Sequence, residues 1–334
     1  MMKFRTEIEI GTAQMPIGHR DAILTMGSCF ADNIAGLLKE RYFSVLQNPF
    51  GTLYNPLSLA EAMTMIIEQR KFTANDLFYY RDEWHSFWHH STFSGENQND
   101  VLRRINRQIR TAHQFLSKAK WLFLTFGTAF VYFHLPEKRL VANCHKLPEN
   151  EFLREPADPK TIVQNLSRVF ADLKEINPNV NILLTVSPIR HLRDGLVQNQ
   201  RSKAILLLAV HELIEQNKHV FYFPAYEIMM DDLRDYRFYE ANLTHPNDQA
   251  VQYIWEKFSD LFFTEATRQV AAKFFALTTA LRHRVRNAQS PMHRRFLRTT
   301  LQRIESLALE YPYVNLEEAR QQISAQLKAE DRSE

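Results

Sequence analysis

Cysteine is scarce in this sequence, and its scarcity excludes one class of protein. The 334 residues include two cysteines, Cys29 and Cys144. Two cysteines cannot form the disulfide framework on which small secreted domains depend. The chain is also long enough, and with 45% hydrophobic residues apolar enough, to bury a sizeable core without cross-links. We therefore expect a globular protein with two free thiols.

Long hydrophobic runs are missing as well. No stretch reaches the roughly 18 apolar residues that indicate a membrane-spanning helix. Residues 1–10 alternate charged and apolar side chains, whereas a signal peptide contains a continuous apolar segment. These absences predict a cytoplasmic protein that makes no contact with a membrane.

Neither sign of charge dominates the chain as a whole. The formal net charge is +3, so we expect no nucleic-acid partner, and nothing in the sequence indicates an oligomeric state. The charge is uneven, because residues 266–304 contain no acidic residue. Arginines accumulate there, at Arg282, Arg284, Arg286, Arg294, Arg295, Arg298 and Arg303. Such a run favours a solvated basic helix face, with an anionic partner as the alternative.

Predicted strands and helices alternate along the first 262 residues. Short, nearly continuous apolar runs predict strands near residues 22–27, 43–46, 121–126, 181–186 and 219–223. Apolar residues at helical spacing lie between them, and one helix is predicted to begin at Asn55-Pro56. This alternation predicts an α/β fold in which helices cover both faces of a mainly parallel, doubly wound sheet.

Three regions are expected on this basis. Residues 1–262 form the α/β domain, and residues 71–98, rich in aromatic residues and histidine, form an insertion that packs over the sheet. Residues 130–143 are expected to form a hairpin that turns at Pro136 to Lys138. Residues 263–334 form an appended helical region with breaks near Ser290-Pro291 and Tyr311-Pro312.

The most informative segment follows the first predicted strand. Gly27 ends that strand, and helical spacing begins directly after it, so Ser28 and Cys29 occupy a strand-to-helix turn. Open α/β sheets bind ligands at such turns.

Short blocks of sequence resemble one known family. The pentapeptide 27–31 has the letters GSCFA, which name the GSCFA family of SGNH-type hydrolases, and it follows the first buried strand as it does in that family. Further similar blocks occur in order at residues 48–52, 126–129, 143–146, 187–191 and 235–239, the last leading to His245-Pro246. The resemblance covers about residues 1–262.

The resemblance implies a fold and an activity. SGNH hydrolases have a flavodoxin-like, three-layer α/β/α fold and need no cofactor. By this resemblance the chain is expected to be an acyl-ester hydrolase or O-acyltransferase that acts on a small O-acylated molecule, such as an acetylated carbohydrate.

The family's functional residues carry over only in part. His245 resembles the general base, and Asn242 stands where the superfamily has the Asp that orients it. Gly51 resembles a glycine whose backbone N–H binds the oxyanion. Thr128 stands near the position of a missing oxyanion Asn, so its hydroxyl is the expected replacement. The blocks also supply expected substrate-lining residues, namely Asn143, His145, Arg190 and His191.

Two residues compete as the nucleophile. The common superfamily motif is Gly-Asp-Ser, and aligning its glycine with Gly27 places Cys29 at the serine position. Ser28 then takes the preceding, helix-capping position. A thiol at a helix N-terminus near a histidine has its thiolate stabilised, and Cys–His sites tolerate Asn as the orienting residue. The register therefore favours Cys29, with Ser28 as the alternative.

A different class of function is also compatible with these residues. The substitution at Asn242 and the unmatched oxyanion Asn favour a non-catalytic binding or scaffolding protein that uses the same cleft for a ligand and the basic tail for a partner. Histidines are numerous, at His85, His89, His90, His145 and His191, but they lack the spacing of a zinc site. We therefore expect no metal and no cofactor.

Overall fold

The computed structural model describes residues 6–9, 11, 15–283 and 290–331. Its strands are β1 (Ala22–Gly27), β2 (Ser44–Gln47), β3 (Phe78–Tyr80), β4 (Glu83–His85), β5 (Trp121–Phe126), β6 (Phe130–His134), β7 (Arg139–Val141), β8 (Phe152–Pro156), β9 (Asn181–Val186) and β10 (Val220–Tyr222). Its helices are α1 (Cys29–Lys39), α2 (Pro56–Ile67), α3 (Gln98–Leu116), α4 (Pro159–Ile176), α5 (Gly195–Gln216), the single turn α6 (Ala225–Glu227), α7 (Asp248–Phe262), α8 (Glu265–Leu281), α9 (Pro291–Glu310) and α10 (Glu317–Asp331).

The central sheet has five strands in the order β10-β9-β5-β1-β2. All four pairings are parallel, which confirms the predicted sheet and places its strands within one residue of the predicted bounds. If the five strands of this sheet are numbered 1 to 5 along the chain and read from the β2 edge, their order is 2-1-3-4-5, as in flavodoxin-like folds.

Alternate side chains of these strands point into two separate cores. Leu24, Leu122 and Leu184 belong to a core with α2, α3, α4 and α5. Their neighbours Ile23 and Phe123 belong to a second core with α1 and α7. Because successive strand residues face opposite sides of a sheet, both faces need helical cover. The predicted three-layer α/β/α fold is thereby confirmed.

A small antiparallel sheet lies at the carboxyl end of β5. The predicted hairpin is present as β6 and β7, and β8, which the sequence did not predict, pairs with the other side of β6. The end of β8 is joined to the segment after β5, because the Ala157 N–H donates to the Ala129 carbonyl at 2.9 Å. This sheet supplies one wall of the cavity described below.

The C-terminal helices pack on the α/β domain and on one another. The breaks fall where predicted, because Ser290 caps α9 and Tyr311 ends it. Phe274 of α8 stacks on His19 at 5.2 Å, and the Thr278 hydroxyl donates to the Glu40 carbonyl at 2.6 Å. Phe274 and Leu277 also join a third core with α9 and α10. Arg284 and Arg286 of the basic run lie outside the described residues.

Among the helices that the structure describes, none combines the length and the apolar character needed to cross a lipid bilayer.

Candidate active site

The carboxyl ends of β1 and β5 lie side by side at the centre of the sheet. The connections leave these two strands toward opposite ends of the sheet, which opens a crevice between them. Gly27 allows the end of β1 to lie close to β5. It has φ +144°, and a Cβ at this position would lie 2.2 Å from the Thr125 carbonyl oxygen. The turn that carries Ser28 and Cys29 is therefore built into this crevice.

One cavity of about 370 Å³ lies at this crevice. It brings together the two candidate nucleophiles, Ser28 and Cys29, with the candidate base His245. Of the other residues named from the sequence, it includes Thr128, Arg190 and His191. Its lining also contains residues that the sequence did not indicate, namely Tyr54, Asn55, Phe130, Tyr132, Ala142, Arg154, Ile189, Leu192 and Arg193.

Ser28 and Cys29 have different surroundings. Ser28 is the residue before α1, but its side chain makes no capping hydrogen bond, and its buried Oγ has no partner. Cys29 is the first residue of α1 and is half-buried, with Sγ 3.6 Å from the Tyr54 hydroxyl. The prediction that the Ser28 side chain caps α1 is therefore wrong, and the N-terminal N–H groups of α1 have no side-chain cap.

Tyr54 and Asn55 enter the site from the loop before α2. The Tyr54 carbonyl accepts the N–H groups of Gly127 and Thr128, at 2.8 and 3.0 Å, and so joins this loop to the end of β5. Burial and the neighbouring Cys29 raise the pKa of the Tyr54 hydroxyl, which stays a proton donor at neutral pH. Asn55 caps α2 through its Oδ1, while its Nδ2 donates to the Ser58 hydroxyl at 3.0 Å. An amide has a second N–H, so Asn55 can also donate into the cavity that it lines.

Gly51 does not belong to the cavity lining. Its N–H donates to the Asn48 carbonyl at 2.7 Å in a tight turn, so this N–H is not available for an oxyanion. Its φ of +75° and the His90 Cβ, 2.3 Å from where a Gly51 Cβ would lie, explain the glycine structurally. Asn48 links the same loop to the turn that carries Ser28 and Cys29, because its Oδ1 accepts the Gly27 N–H at 2.8 Å.

Thr128 lines the cavity, but its hydroxyl already has partners within the protein. It lies 3.0 Å from the Ser202 hydroxyl and accepts the Phe130 N–H at 3.2 Å. Ser202 in turn accepts the Ala129 N–H at 2.7 Å. These bonds fix the turn after β5 against α5.

His245 is held by a compact turn. Asn242 Oδ1 accepts the N–H groups of Thr244 and His245 and the hydroxyl of Thr244, at 2.8, 3.0 and 2.7 Å. The Thr244 oxygen lies 2.9 Å from His245 Nδ1. The direct partner of the imidazole is therefore Thr244, and Asn242 acts through it.

These bonds define the tautomer of His245. The single hydroxyl proton of Thr244 is donated to Asn242, so Thr244 can only accept from Nδ1–H of the imidazole. Nε2 then carries the lone pair that a general base requires.

A second histidine, His191, packs against the turn after β5. His191 Nε2 and Ser28 Cβ lie 3.0 and 3.3 Å from the position of a Cβ built on Gly127, so both pack against that glycine. The buried Nε2 has no partner. Burial, assisted by the positive charge of Lys203 and Arg154, lowers the pKa of His191 to about 4. His191 is therefore neutral at neutral pH.

Asn143 and His145 lie outside the cavity lining. Asn143 Oδ1 accepts the His145 N–H at 2.9 Å, and His145 Nε2 bonds the Ser86 carbonyl at 2.8 Å. The His145 ring packs on His85, with centroids 4.6 Å apart. These contacts join the loop of Asn143 and His145 to residues 85 and 86 of the 71–98 segment. Within the described part of the chain, no three His, Cys, Asp or Glu side chains are grouped as a metal site would need.

Comparison with known proteins identifies the family. The model of the GSCFA family matches residues 22–258. This chain belongs to the GSCFA family. Residues 276–329 of this GSCFA protein also match the GSCFA domain protein, C-terminal domain.

Other comparisons of this GSCFA protein include a distant likeness to a solved structure. No curated protein matches it. Among solved structures it is similar to an acetyl xylan esterase, Est2A, from the rumen bacterium Butyrivibrio proteoclasticus, with 11% sequence identity and a TM-score of 0.37. The alignment covers 74% of this chain and 64% of that esterase, so the chain spans less than two thirds of its length.

Proposed function

We propose that this protein is an acyl-ester hydrolase or O-acyltransferase that acts on small O-acylated molecules, such as acetylated carbohydrates. One observation carries the proposal: a single cavity at the switch point of the sheet contains Cys29, Ser28 and His245 beside the uncapped N-terminus of α1. A nucleophile, a base and oxyanion donors are the parts that acyl transfer requires.

In the proposed reaction, Cys29 attacks the acyl carbon and His245 receives the thiol proton. The oxyanion that develops on the carbonyl oxygen is bound by the Cys29 backbone N–H at the N-terminus of α1 and by the amide of Asn55. The ester C–O bond then breaks, and His245 returns the proton to the leaving alcohol. Water or an acceptor hydroxyl takes the acyl group from the thioester by the same steps in reverse order.

The surroundings of the two candidates support Cys29 as the attacking atom. Cys29 is half-buried in the cavity lining and its Sγ has a hydroxyl partner in Tyr54. Ser28 is 1% exposed and makes no side-chain hydrogen bond with a base. A serine nucleophile would need such a bond to lose its proton, whereas a thiol needs it less.

The test is formation of an acyl-enzyme. The full-length protein is treated with para-nitrophenyl acetate, and the modified residue is identified by mass spectrometry. We expect an acetyl group on Cys29 that requires His245, so that His245→Gln abolishes it while His219→Gln, an exposed position, does not. Cys144→Ala is the matched cysteine control, because burial raises the pKa of the Cys144 thiol to about 12 and makes it a poor nucleophile.

A ligand-binding protein without catalysis is the second candidate. Its supporting observation is that the partner of Cys29 Sγ is Tyr54 and the buried Ser28 Oγ has none, so neither candidate is hydrogen-bonded to His245. Saturable binding of an acylated ligand, with no acetylation of either residue and no turnover, would establish this function in place of the first.

A further inference from the structure

Three arginines line the candidate active site, and in the described part of the chain no acidic residue does. Arg154, Arg190 and Arg193 all belong to the cavity described above. Neutral esters need no cation for binding, so this excess of positive charge calls for an explanation in terms of the substrate. The three arginines differ in their partners.

Two of the three are paired with carboxylates at the rim. Arg154 forms an ion pair with Asp194, and Arg193 bonds Glu149 and the Tyr132 hydroxyl, at 2.5 and 2.8 Å. Their charges are thus largely balanced within the protein. The Nε atom of Arg154 is buried and has no hydrogen-bond partner among the described residues, so it is not exposed to a ligand.

Arg190 is different. Its guanidinium lies 4.2 Å from the ring centroid of Tyr239 and 5.3 Å from that of Tyr236, and among the described residues no carboxylate forms an ion pair with it. Its backbone is fixed, because its N–H donates to the Thr244 carbonyl at 3.1 Å. The cation is therefore attached to the same turn that holds the proposed base.

Flat aromatic rings hold this charge and its neighbour in place. Tyr239 lies under Arg190, and the Phe130 ring lies 4.2 Å from the Arg154 guanidinium. A guanidinium that lies over a ring can still present N–H groups to an oxyanion and bind it with two parallel hydrogen bonds.

We propose that the substrate of this site is an acylated molecule with a carboxylate or phosphate group, which Arg190 binds. The inference rests on the proposed function, because it names the substrate class of the same cavity. The acyl group lies against Cys29, and the anionic group lies toward Arg190. Arg190 is thus a specificity-determining residue.

Binding is tested without turnover, so that the two proposals can fail separately. The ligands are acetyl amides, which resist transfer: para-acetamidobenzoate and para-acetamidophenyl phosphate carry the anion, and para-acetamidobenzamide is the neutral match. We expect the full-length protein to bind at least one anion about tenfold more tightly than the neutral amide. The preferred anion distinguishes a carboxylate site from a phosphate site.

Substitution then assigns the preference. Arg190→Gln should remove the advantage of the anion and leave binding of the neutral amide unchanged. Arg110→Gln, at an exposed position on α3, is the matched control and should keep it. No preference for either anion in the parent protein, or an equal loss for all three ligands in Arg190→Gln, overturns the inference.

Kinetics separate substrate binding from an effect on the reacting atoms. With the acetyl esters para-acetoxybenzoate and its methyl ester, Arg190→Gln should raise KM for the anionic ester alone. If it instead lowers kcat equally for both esters, Arg190 stabilises the transition state and the substrate assignment is wrong. Anion-selective binding in a protein that hydrolyses neither ester would support this inference while removing the proposed catalysis.

Discussion

Lys203 donates a 2.7 Å hydrogen bond to the Gly127 carbonyl, and a second bond of equal length to the Ser187 carbonyl. It thereby ties together the turns that follow β5 and β9. Lys203 is 1% exposed, and burial lowers its pKa to about 7. Among the described residues no carboxylate pairs with this buried lysine, and burying a cation is costly. Its two hydrogen bonds to carbonyl oxygens therefore indicate a role in positioning the edge of the cavity.

Replacing Lys203 should disturb that edge. Lys203→Met keeps the volume but leaves two buried carbonyls unpaired, each worth about 1–3 kcal/mol, partly offset by relief of the buried charge. We expect a net loss of about 1–3 kcal/mol in the free energy of unfolding and a clear fall in ester turnover, measured by denaturation and steady-state kinetics. Lys118→Met, at an exposed position, is the control. Normal turnover in Lys203→Met would contradict the positioning role.

The two candidate nucleophiles should respond differently to removal. Cys29→Ala should abolish acylation. Ser28→Ala should retain it, and should change stability by less than the roughly 0.5–2 kcal/mol typical of a lost N-cap, because the Ser28 side chain makes no capping bond. Turnover and thermal unfolding of both variants provide the measurements. A dead Ser28→Ala beside an active Cys29→Ala would assign the serine instead.

Thr244 should matter for the orientation of His245. Thr244→Val keeps the shape but removes the oxygen 2.9 Å from Nδ1, so the imidazole loses its fixed tautomer. We expect kcat to fall by about 10- to 100-fold, with recovery in Thr244→Ser. If Val and Ser variants behave alike, the hydroxyl plays no part in orienting the base.

Asn242→Asp tests the same turn electrostatically. Asn242 Nδ2 donates to Glu240 at 2.9 Å, so an aspartate would lose this donor and face a like charge. We therefore expect Asn242→Asp to be no faster than the parent protein in steady-state turnover. A faster variant would indicate a Ser–His site that gains from a carboxylate.

Acid should destabilise the protein through its buried histidines. Burial lowers the pKa of His89 to about 3 and that of His145 to about 4, both below the unfolded value near 6.5. The unfolded state thus binds protons first, and stability present above pH 6.5 is lost as pH falls toward 4. Lowering the pH from 7.5 to 5.5 should reduce the free energy of unfolding by about 1.4 kcal/mol for each of these two histidines. Urea unfolding at both pH values measures this, and His89→Phe should reduce the difference.

Much of the fold could be predicted from the sequence because it depends on local patterns. Most of the five sheet strands are short, nearly continuous apolar runs, and Gly27 ends β1 where a side chain would clash with the neighbouring strand. Short motifs also predicted the turn that carries the two candidate nucleophiles, and the candidate base. Strand β8 was not predicted because none of its residues is buried and its sequence, Phe-Leu-Arg-Glu-Pro, does not alternate apolar and polar residues.

The partners of the polar groups were decided only by the tertiary structure. Lys203 lies 76 positions from Gly127 in the chain, and no local sequence pattern indicates which carbonyl a distant side chain will contact. The same holds for Tyr54 beside Cys29, and for Arg190 beside the turn of His245. Gly51 shows a limit of sequence motifs. A glycine that is needed for a positive φ cannot be distinguished in the sequence from one whose N–H binds an oxyanion. Hydrophobic periodicity therefore specified the layers, whereas hydrogen bonds across the chain determined which residues share the cavity.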